Sequence, residues 1–109
     1  MSSKVLKPNQ SLTMLADLYE QRNVMYGDTY KNHGTVVKSL FPNGIGLITV
    51  DDHNRFAIIT MLVSKLCRYI ANFEAGGHDD SLDDMSVYAQ MLKELDMEIR
   101  NAQSCSNLP

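Results

Sequence analysis

The sequence lacks several features that mark common protein classes. It contains no tryptophan, two cysteines and three prolines, and 7 % of its residues are aromatic. Cys67 and Cys105 do not form a CxxC pair, which argues against a zinc site or a disulfide framework. No stretch reaches the roughly 18 apolar residues of a membrane span, and residues 1–10 lack the apolar run of a signal peptide. We therefore expect no membrane association and a cytoplasmic location, in which thiols stay reduced.

The charge balance and the absence of catalytic motifs exclude further classes. The formal net charge is -3 at pH 7. Non-specific nucleic-acid binding requires a basic face that neutralises phosphates, so we expect none here. The chain has no serine elbow, no Walker phosphate loop and no GxGxxG loop. His33, His53 and His78 do not have the spacing of zinc ligands.

Helical spacing of apolar residues is the main pattern that is present. It predicts four helices, near residues 9–26, 29–41, 51–76 and 79–102. The expected N-cap residues are Asn9 or Ser11, Asp28, Asp51 or Asp52, and Asp79 or Asp80. Residues 45–50, IGLITV, are predicted to form a loop, with a short strand as the alternative. The expected fold is all-α: a four-helix bundle-like single domain over residues 11–102, between flexible segments 1–10 and 103–109.

The third predicted helix is expected to be the buried, central element, because it is apolar on most of its circumference. The last two helices should form an antiparallel hairpin around Gly76 and Gly77. Several apolar helix faces are wider than a small monomer needs, and such surface usually marks an interface. We therefore expect a dimer or a higher homo-oligomer.

Several polar side chains lie on helix faces that should be apolar: Arg22, His33, Lys65, Arg68, Asn72 and Asp84. On the third helix, the side chains at positions 65, 68 and 72 project within roughly 60° of one another. A buried unpaired charge is costly, so these cations need a carboxylate of the same protein, an anionic ligand, or both. Arginine can hold two phosphate oxygens at once.

The fourth predicted helix carries a row of polar residues. Asp80, Asp84 and Tyr88 follow i, i+4, i+8 spacing and lie along one side of the helix. Two carboxylates in such a row can hold Mg²⁺ together with substrate phosphate oxygens. The same pattern also has structural explanations, because Asp80 can cap the helix and Asp84 can pair with a cation of the third helix.

The remaining candidates lie on the first two helices. Tyr26 and Tyr30 can stack a base, and they can equally be packing residues. His33 or Asp28 can orient an attacking water, although a histidine on an apolar face can be a hydrogen-bonded core residue. Arg22 can bind phosphate, or it can extend out of its groove into solvent.

Two stretches resemble a known group of proteins. They are RNVMYGDTYKNHG, residues 22–34, and KLCRYIANFEAGGHDDSLDDMSVYAQML, residues 65–92. Together they resemble small phage-encoded all-helical proteins that look like a distant branch of the MazG-like, all-α nucleotide pyrophosphohydrolases. The resemblance covers roughly residues 11–100. It implies a MazG-like fold, assembly into dimers or tetramers with sites near helix interfaces, and a location in the host cytoplasm.

The resemblance also implies a metal site, which this sequence matches only in part. The MazG-like enzymes carry an ExxE pair and a later ExxD pair, which bind Mg²⁺ around a nucleotide triphosphate. Asp80 and Asp84 correspond to the later pair, at spacing four rather than three. The ExxE pair is absent, and the central helix has Lys65 and Arg68 instead. Half of the expected metal cage is therefore missing.

Three functions remain open from the sequence. The first is a Mg²⁺-dependent nucleotide pyrophosphohydrolase, in which the aspartates hold the metal and the cations of the central helix neutralise phosphate charge. The second is a non-catalytic oligomer that sequesters a nucleotide or a nucleotide second messenger, as phage counter-defence proteins do. The third is a structural or interaction protein whose charges form internal ion pairs.

Overall fold

The computed structural model describes residues 5–106. They form four helices: α1 (Pro8–Tyr26), α2 (Thr29–Leu40), α3 (Val50–Ala71) and α4 (Asp79–Ser106). These residues contain no strand, which confirms the all-α prediction, and the predicted loop over residues 45–50 is observed except for Val50, which begins α3. Within the same range, none of the helices combines the length and apolar character needed to cross a membrane. Residues 1–4 and 107–109, parts of the segments predicted to be flexible, lie outside the described residues.

The start of α1 differs from the prediction that Asn9 or Ser11 is the N-cap. Lys7 is the N-cap and Pro8 is the first helical residue. Proline suits this position because its φ is already helical and the N–H that it lacks has no intrahelical partner there. The Lys7 backbone N–H donates to Oε1 of Gln10 at 2.8 Å. At the other end, Gly27 stops the helix as predicted, with φ +62°.

The bounds of α3 also differ from the prediction, because Thr49 rather than an aspartate is the N-cap. The Thr49 hydroxyl accepts from the Asp52 backbone N–H at 3.0 Å, and the Asp52 carboxylate accepts from the Thr49 N–H at 3.0 Å. This reciprocal capping box satisfies N–H groups that the helix leaves unpaired. The helix ends at Ala71, well before Gly76, because Asn72 donates from Nδ2 to the Arg68 carbonyl at 2.9 Å.

The other two helices end close to their predicted positions. The predicted cap Asp28 precedes α2, but its side chain makes no capping hydrogen bond, and α2 ends at Leu40 rather than Phe41. Asp79 and Asp80, which were predicted as caps, lie inside the first turn of α4. This helix runs on to Ser106, so it includes part of the predicted C-terminal tail, just as α1 includes residues 8–10.

The central position of α3 is confirmed, since all three other helices pack against it. Its most extensive contact is with α4, and the predicted antiparallel hairpin is confirmed by two ion pairs. Lys65 Nζ lies 2.9 Å from Asp84 Oδ2, and Arg55 Nε lies 3.1 Å from Asp96 Oδ1. By contrast, α1 touches α3 over a short length only, so the helices do not close into a bundle around a shared core.

The interior of the single chain is very small, and the prediction that α3 is buried is wrong. Among the described residues only Val63 and Ser81 are buried, at 5 % and 1 % exposure. The radius of gyration is 19.4 Å, whereas a compact chain of this length has about 13 Å. Large apolar side chains remain exposed along α1, including Leu12, Leu15 and Val24. The apolar faces that the sequence pattern identifies are therefore left uncovered by the chain itself.

Candidate functional site

A cavity lies where the end of α1, the start of α2 and the last turns of α3 meet. We call it the first cavity; its volume is about 360 Å³, near the lower end of the range of about 300–1,000 Å³ for small-molecule sites. Its lining combines two cations with three aromatic rings: Arg22, Arg68, Tyr19, Tyr26 and Tyr30. Gly27 ends α1 beside it and so allows α2 to turn back toward α3.

Arg68 is held in place by an aromatic ring. Its Cζ lies 5.1 Å from the centroid of the Tyr26 ring, a cation–π contact. The Tyr26 ring is held in turn by His78, whose ring centroid lies 5.9 Å away at an interplanar angle of 86°. His78 is fixed by a 2.6 Å hydrogen bond between Nδ1 and the hydroxyl of the buried Ser81. A cation–π contact orients the guanidinium and leaves its N–H groups able to bind an anion.

Neither arginine of the first cavity forms an ion pair with a carboxylate of residues 5–104. The ion pairs in that range use Lys31, Arg55 and Lys65. Arg68 is half-buried and Arg22 is exposed. Both guanidinium groups therefore give the cavity positive charge that no described carboxylate neutralises, and both can bind an anion. The first cavity therefore has the electrostatic character of an anion site.

A series of side-chain hydrogen bonds positions the other two tyrosines, Tyr19 and Tyr30. The hydroxyls of Tyr19 and Tyr30 lie 3.3 Å apart, and Asn23 donates from Nδ2 to the Tyr19 hydroxyl at 3.4 Å. The same amide donates to Asp28 Oδ1 at 2.7 Å. The hydrogen bond with Tyr30 raises the pKa of Tyr19 above its usual value, so this phenol is neutral at pH 7.

Asp28 has a different setting from the one expected of a catalytic base. The hydrogen bond from Asn23, together with Lys31 at 3.4 Å, lowers the pKa of the Asp28 carboxyl. A lowered pKa makes a carboxylate a weaker base, which does not suit the activation of water. Asp28 also lines neither the first cavity nor the cavity that contains His33. The predicted catalytic roles of Asp28 and His33 stay predictions.

A second cavity adjoins the first and has a volume of about 420 Å³. It shares Thr29, Tyr30 and Arg68 with the first cavity. Its remaining lining comes from α2 and α3 and consists of His33, Gly34, Ser64 and Cys67. The structure thus brings the predicted residues Arg22, Tyr26, Tyr30 and Arg68 together in the first cavity, with His33 next to them.

The remaining predicted site residues lie elsewhere. Arg68 faces α1, whereas Lys65 faces α4 and pairs with Asp84. The pyrophosphohydrolase hypothesis requires both cations and the α4 aspartates at one site, and within one chain they do not lie together. Positions 65 and 68 are three apart, so their side chains leave α3 in directions about 60° apart. This difference is enough for one side chain to reach α1 and the other to reach α4. Asn72 uses its amide to cap α3. Tyr88 lies on α4 and lines neither cavity.

The aspartates of α4 do not fit the predicted Mg²⁺ site within one chain. Asp80 is exposed, and Asp84 is engaged by Lys65. Over the described part of the chain, no group of three or more His, Cys, Asp or Glu side chains lies close enough to hold a metal ion. The magnesium cofactor therefore stays a prediction.

Sequence reasoning missed Tyr19 and Asn23, although a signal was present. Tyr19, Arg22 and Tyr26 follow i, i+3, i+7 spacing and therefore share a face of α1. The same spacing is typical of a packing face, and nothing in the sequence shows that α1 has so little of the chain to pack against.

Comparison of the chain with protein-family models, curated proteins and solved structures finds no match. The resemblance to phage-encoded helical proteins and to MazG-like enzymes therefore stays a prediction, and a functional proposal depends on the geometry of the two cavities.

Proposed function

We propose that this protein binds a nucleotide, or a closely related small molecule with phosphate and aromatic groups, in the first cavity. One observation carries this proposal: two arginines and three tyrosines line the same cavity. Neither arginine has a carboxylate partner within the described residues. Phosphate and a heterocyclic base are the two chemical groups that such a lining complements.

The phosphate binds Arg22 and Arg68. Arginine offers planar N–H donors that match two oxygens of one phosphate, and it stays charged at any physiological pH. The contact with Tyr26 holds the Arg68 guanidinium at the cavity before the ligand arrives. Because little side-chain freedom is then lost on binding, the cost of ordering Arg68 is small.

The base stacks on Tyr19 or Tyr30 rather than on Tyr26. Both of these rings are more than half exposed, whereas Tyr26 is already occupied by Arg68 and His78. Stacking of a base on an aromatic side chain contributes about 1–3 kcal/mol. The neutral Tyr19 phenol also avoids a negative charge next to the ligand phosphate.

Binding without hydrolysis is the better-supported form of this function. The α4 aspartates that hydrolysis requires for metal binding lie outside both cavities, and Asp28 has a lowered pKa. Sequestration of the ligand needs only the arginines and tyrosines.

The form that binds is a homo-oligomer. Support for this comes from the near absence of buried apolar side chains over residues 5–104 and from the large radius of gyration. A single chain of about 109 residues that leaves its apolar faces in water gains too little burial to offset the entropy of folding. A second copy of the chain offers the same apolar faces and can cover them symmetrically.

Calorimetric titration with nucleotides in the presence of a chelator tests this function. We expect Arg68→Gln to weaken binding about 10- to 100-fold, because a hydrogen bond to a charged group contributes roughly 1.5–3 kcal/mol. Arg22→Gln should weaken binding in the same direction. Product analysis after incubation with Mg²⁺ should recover the nucleotide intact, and cleaved product would instead support the hydrolase.

Arg100→Gln is the matched control. It makes the same change in charge on α4, roughly 25 Å along the hairpin from Arg68 by the register of the two ion pairs. It should leave affinity unchanged. The proposal fails if no nucleotide binds, or if the Arg100 and Arg68 variants weaken binding equally.

A further inference from the structure

The second cavity continues the proposed nucleotide site on the other side of Arg68. Arg68 and Tyr30 line both cavities, so a phosphate at Arg68 lies at the boundary between them. Each cavity, at about 360 and 420 Å³, is near the lower end of the range for a small-molecule site. A ligand that occupies both has to place its anionic group in the middle and an organic group on each side.

The second cavity is lined by small residues where α2 and α3 face each other. Gly34 lines it from the interior of α2, and Ser64 lines it from α3. Glycine is among the least favourable residues inside a helix. Gly34 has no positive φ, and a Cβ added there would meet no described atom within 4 Å apart from its chain neighbours and its own helix backbone. Position 34 is therefore open toward the second cavity, and a larger side chain there would extend into that space.

The polar groups of the second cavity suit the edge of a heterocycle. His33 is half-buried there, and its ring has one donor and one acceptor nitrogen when neutral. The Ser64 hydroxyl adds a group that can donate or accept. These groups match the mixed donor and acceptor edge of a nucleobase better than they match a purely apolar group.

We propose that the ligand is a dinucleotide, in which two nucleosides are joined through phosphate. One base stacks on the tyrosines of the first cavity, the connecting phosphate binds Arg68, and the second nucleoside enters the second cavity against His33 and Ser64. This inference rests on the proposed nucleotide-binding function and names its ligand class.

Calorimetric titration of matched ligand pairs tests the inference. For each of the four RNA bases, a nucleoside 5′-monophosphate is compared with the corresponding linear dinucleotide, in chelator. We expect the dinucleotide with the preferred base to bind about tenfold more tightly or better, because a second base adds its own contacts. Gly34→Leu and Ser64→Leu fill the second cavity and should bring this affinity ratio to about one, with monophosphate affinity little changed.

Gly34→Ala is the control at one of these positions, because it adds a single methyl group that would meet nothing outside its own helix within 4 Å, and it should keep most of the ratio. Gly34→Leu places a better helix former in α2, so it should fold even if Ser64→Leu does not. Circular dichroism checks the helix content of every variant.

Three outcomes overturn the inference. Equal affinities for both ligand types, with Arg68→Gln still weakening the monophosphate, would leave nucleotide binding intact and reject the dinucleotide. An unchanged ratio in Gly34→Leu, accompanied by a changed oligomeric state in light scattering, would assign the second cavity to a neighbouring copy of the chain. Absence of binding by every nucleotide would reject both proposals.

Discussion

The geometry of the Lys65–Asp84 ion pair between α3 and α4 predicts that removal of one partner destabilises the protein more than removal of the other. The two charged atoms lie 2.9 Å apart, but the side chains differ in exposure, at 18 % for Lys65 and 44 % for Asp84. Removal of one partner leaves the other charge without its counter-ion, and the cost depends on how well water can replace that counter-ion. Water reaches the aspartate much more easily than the lysine.

The expected magnitudes follow from that difference. Asp84→Ala leaves a mostly buried ammonium group unpaired, and we expect it to lower the free energy of unfolding by about 2 kcal/mol, below the 3–5 kcal/mol of a fully buried pair. Lys65→Met keeps the packing of the aliphatic stem and leaves a carboxylate that water can hydrate. We expect it to cost about 1 kcal/mol or less, in the range of surface pairs. The double variant should cost less than the sum of the two single changes.

Urea unfolding followed by far-ultraviolet circular dichroism measures these differences, because the chain has no tryptophan for fluorescence. All variants need the same protomer concentration, since stability depends on concentration in an oligomer. A larger loss of stability in Lys65→Met than in Asp84→Ala would refute this asymmetry. A loss of nucleotide affinity in Asp84→Ala without loss of stability would return Asp84 to the ligand site.

Three further predictions concern the backbone, pH and assembly. Gly27→Ala should destabilise the fold by about 1–3 kcal/mol in urea unfolding, because φ +62° with ψ -154° is a conformation that essentially only glycine adopts; an unchanged midpoint would contradict this. The N–H groups of Thr49 and Ile48 lower the pKa of the Asp52 carboxyl in the folded protein. Its ionised form therefore stabilises the fold at pH values above the unfolded pKa of about 3.9, and this stabilisation is lost as the pH falls through the lower pKa of the folded state. Asp52→Asn should flatten that acid limb of a stability–pH curve, and an identical curve would reject the capping argument. Light scattering should show an oligomer, and Leu15→Glu should shift it toward monomer; a monomeric wild type would reject the assembly.

The helices of this protein could be predicted from sequence, but their ends could be predicted only in part. Apolar periodicity and glycine positions are local signals, and they placed all four helices near their observed positions. The exact N-cap could not be predicted, because several residues near each helix start can accept a backbone N–H. At α3 the reciprocal bonds of Thr49 with Asp52 decide the start, although Asp51 and Asp52 are equally good caps on composition alone.

The site could be predicted only as a set of unusual residues. The sequence identifies Arg22, Arg68 and the tyrosines as polar or aromatic groups on helix faces that should pack. It does not show which way each side chain faces once the helices assemble. Arg68 and Lys65 are neighbours on one face of α3, yet one meets Tyr26 of α1 and the other meets Asp84 of α4. The relative placement of helices is a long-range property, and local periodicity does not contain it.

The brief contact of α1 with the remainder of the chain has a mechanical consequence. Near the C-terminal end of α1, the side chains of Tyr19, Tyr26 and their neighbours make its hydrogen bonds and ring contacts with other elements. These contacts join α1 to α2, to α3 and to the turn after α3. The helix has 19 residues and is therefore about 28 Å long. By this geometry, a tilt of about 10° at the anchored end would displace the opposite end by about 5 Å.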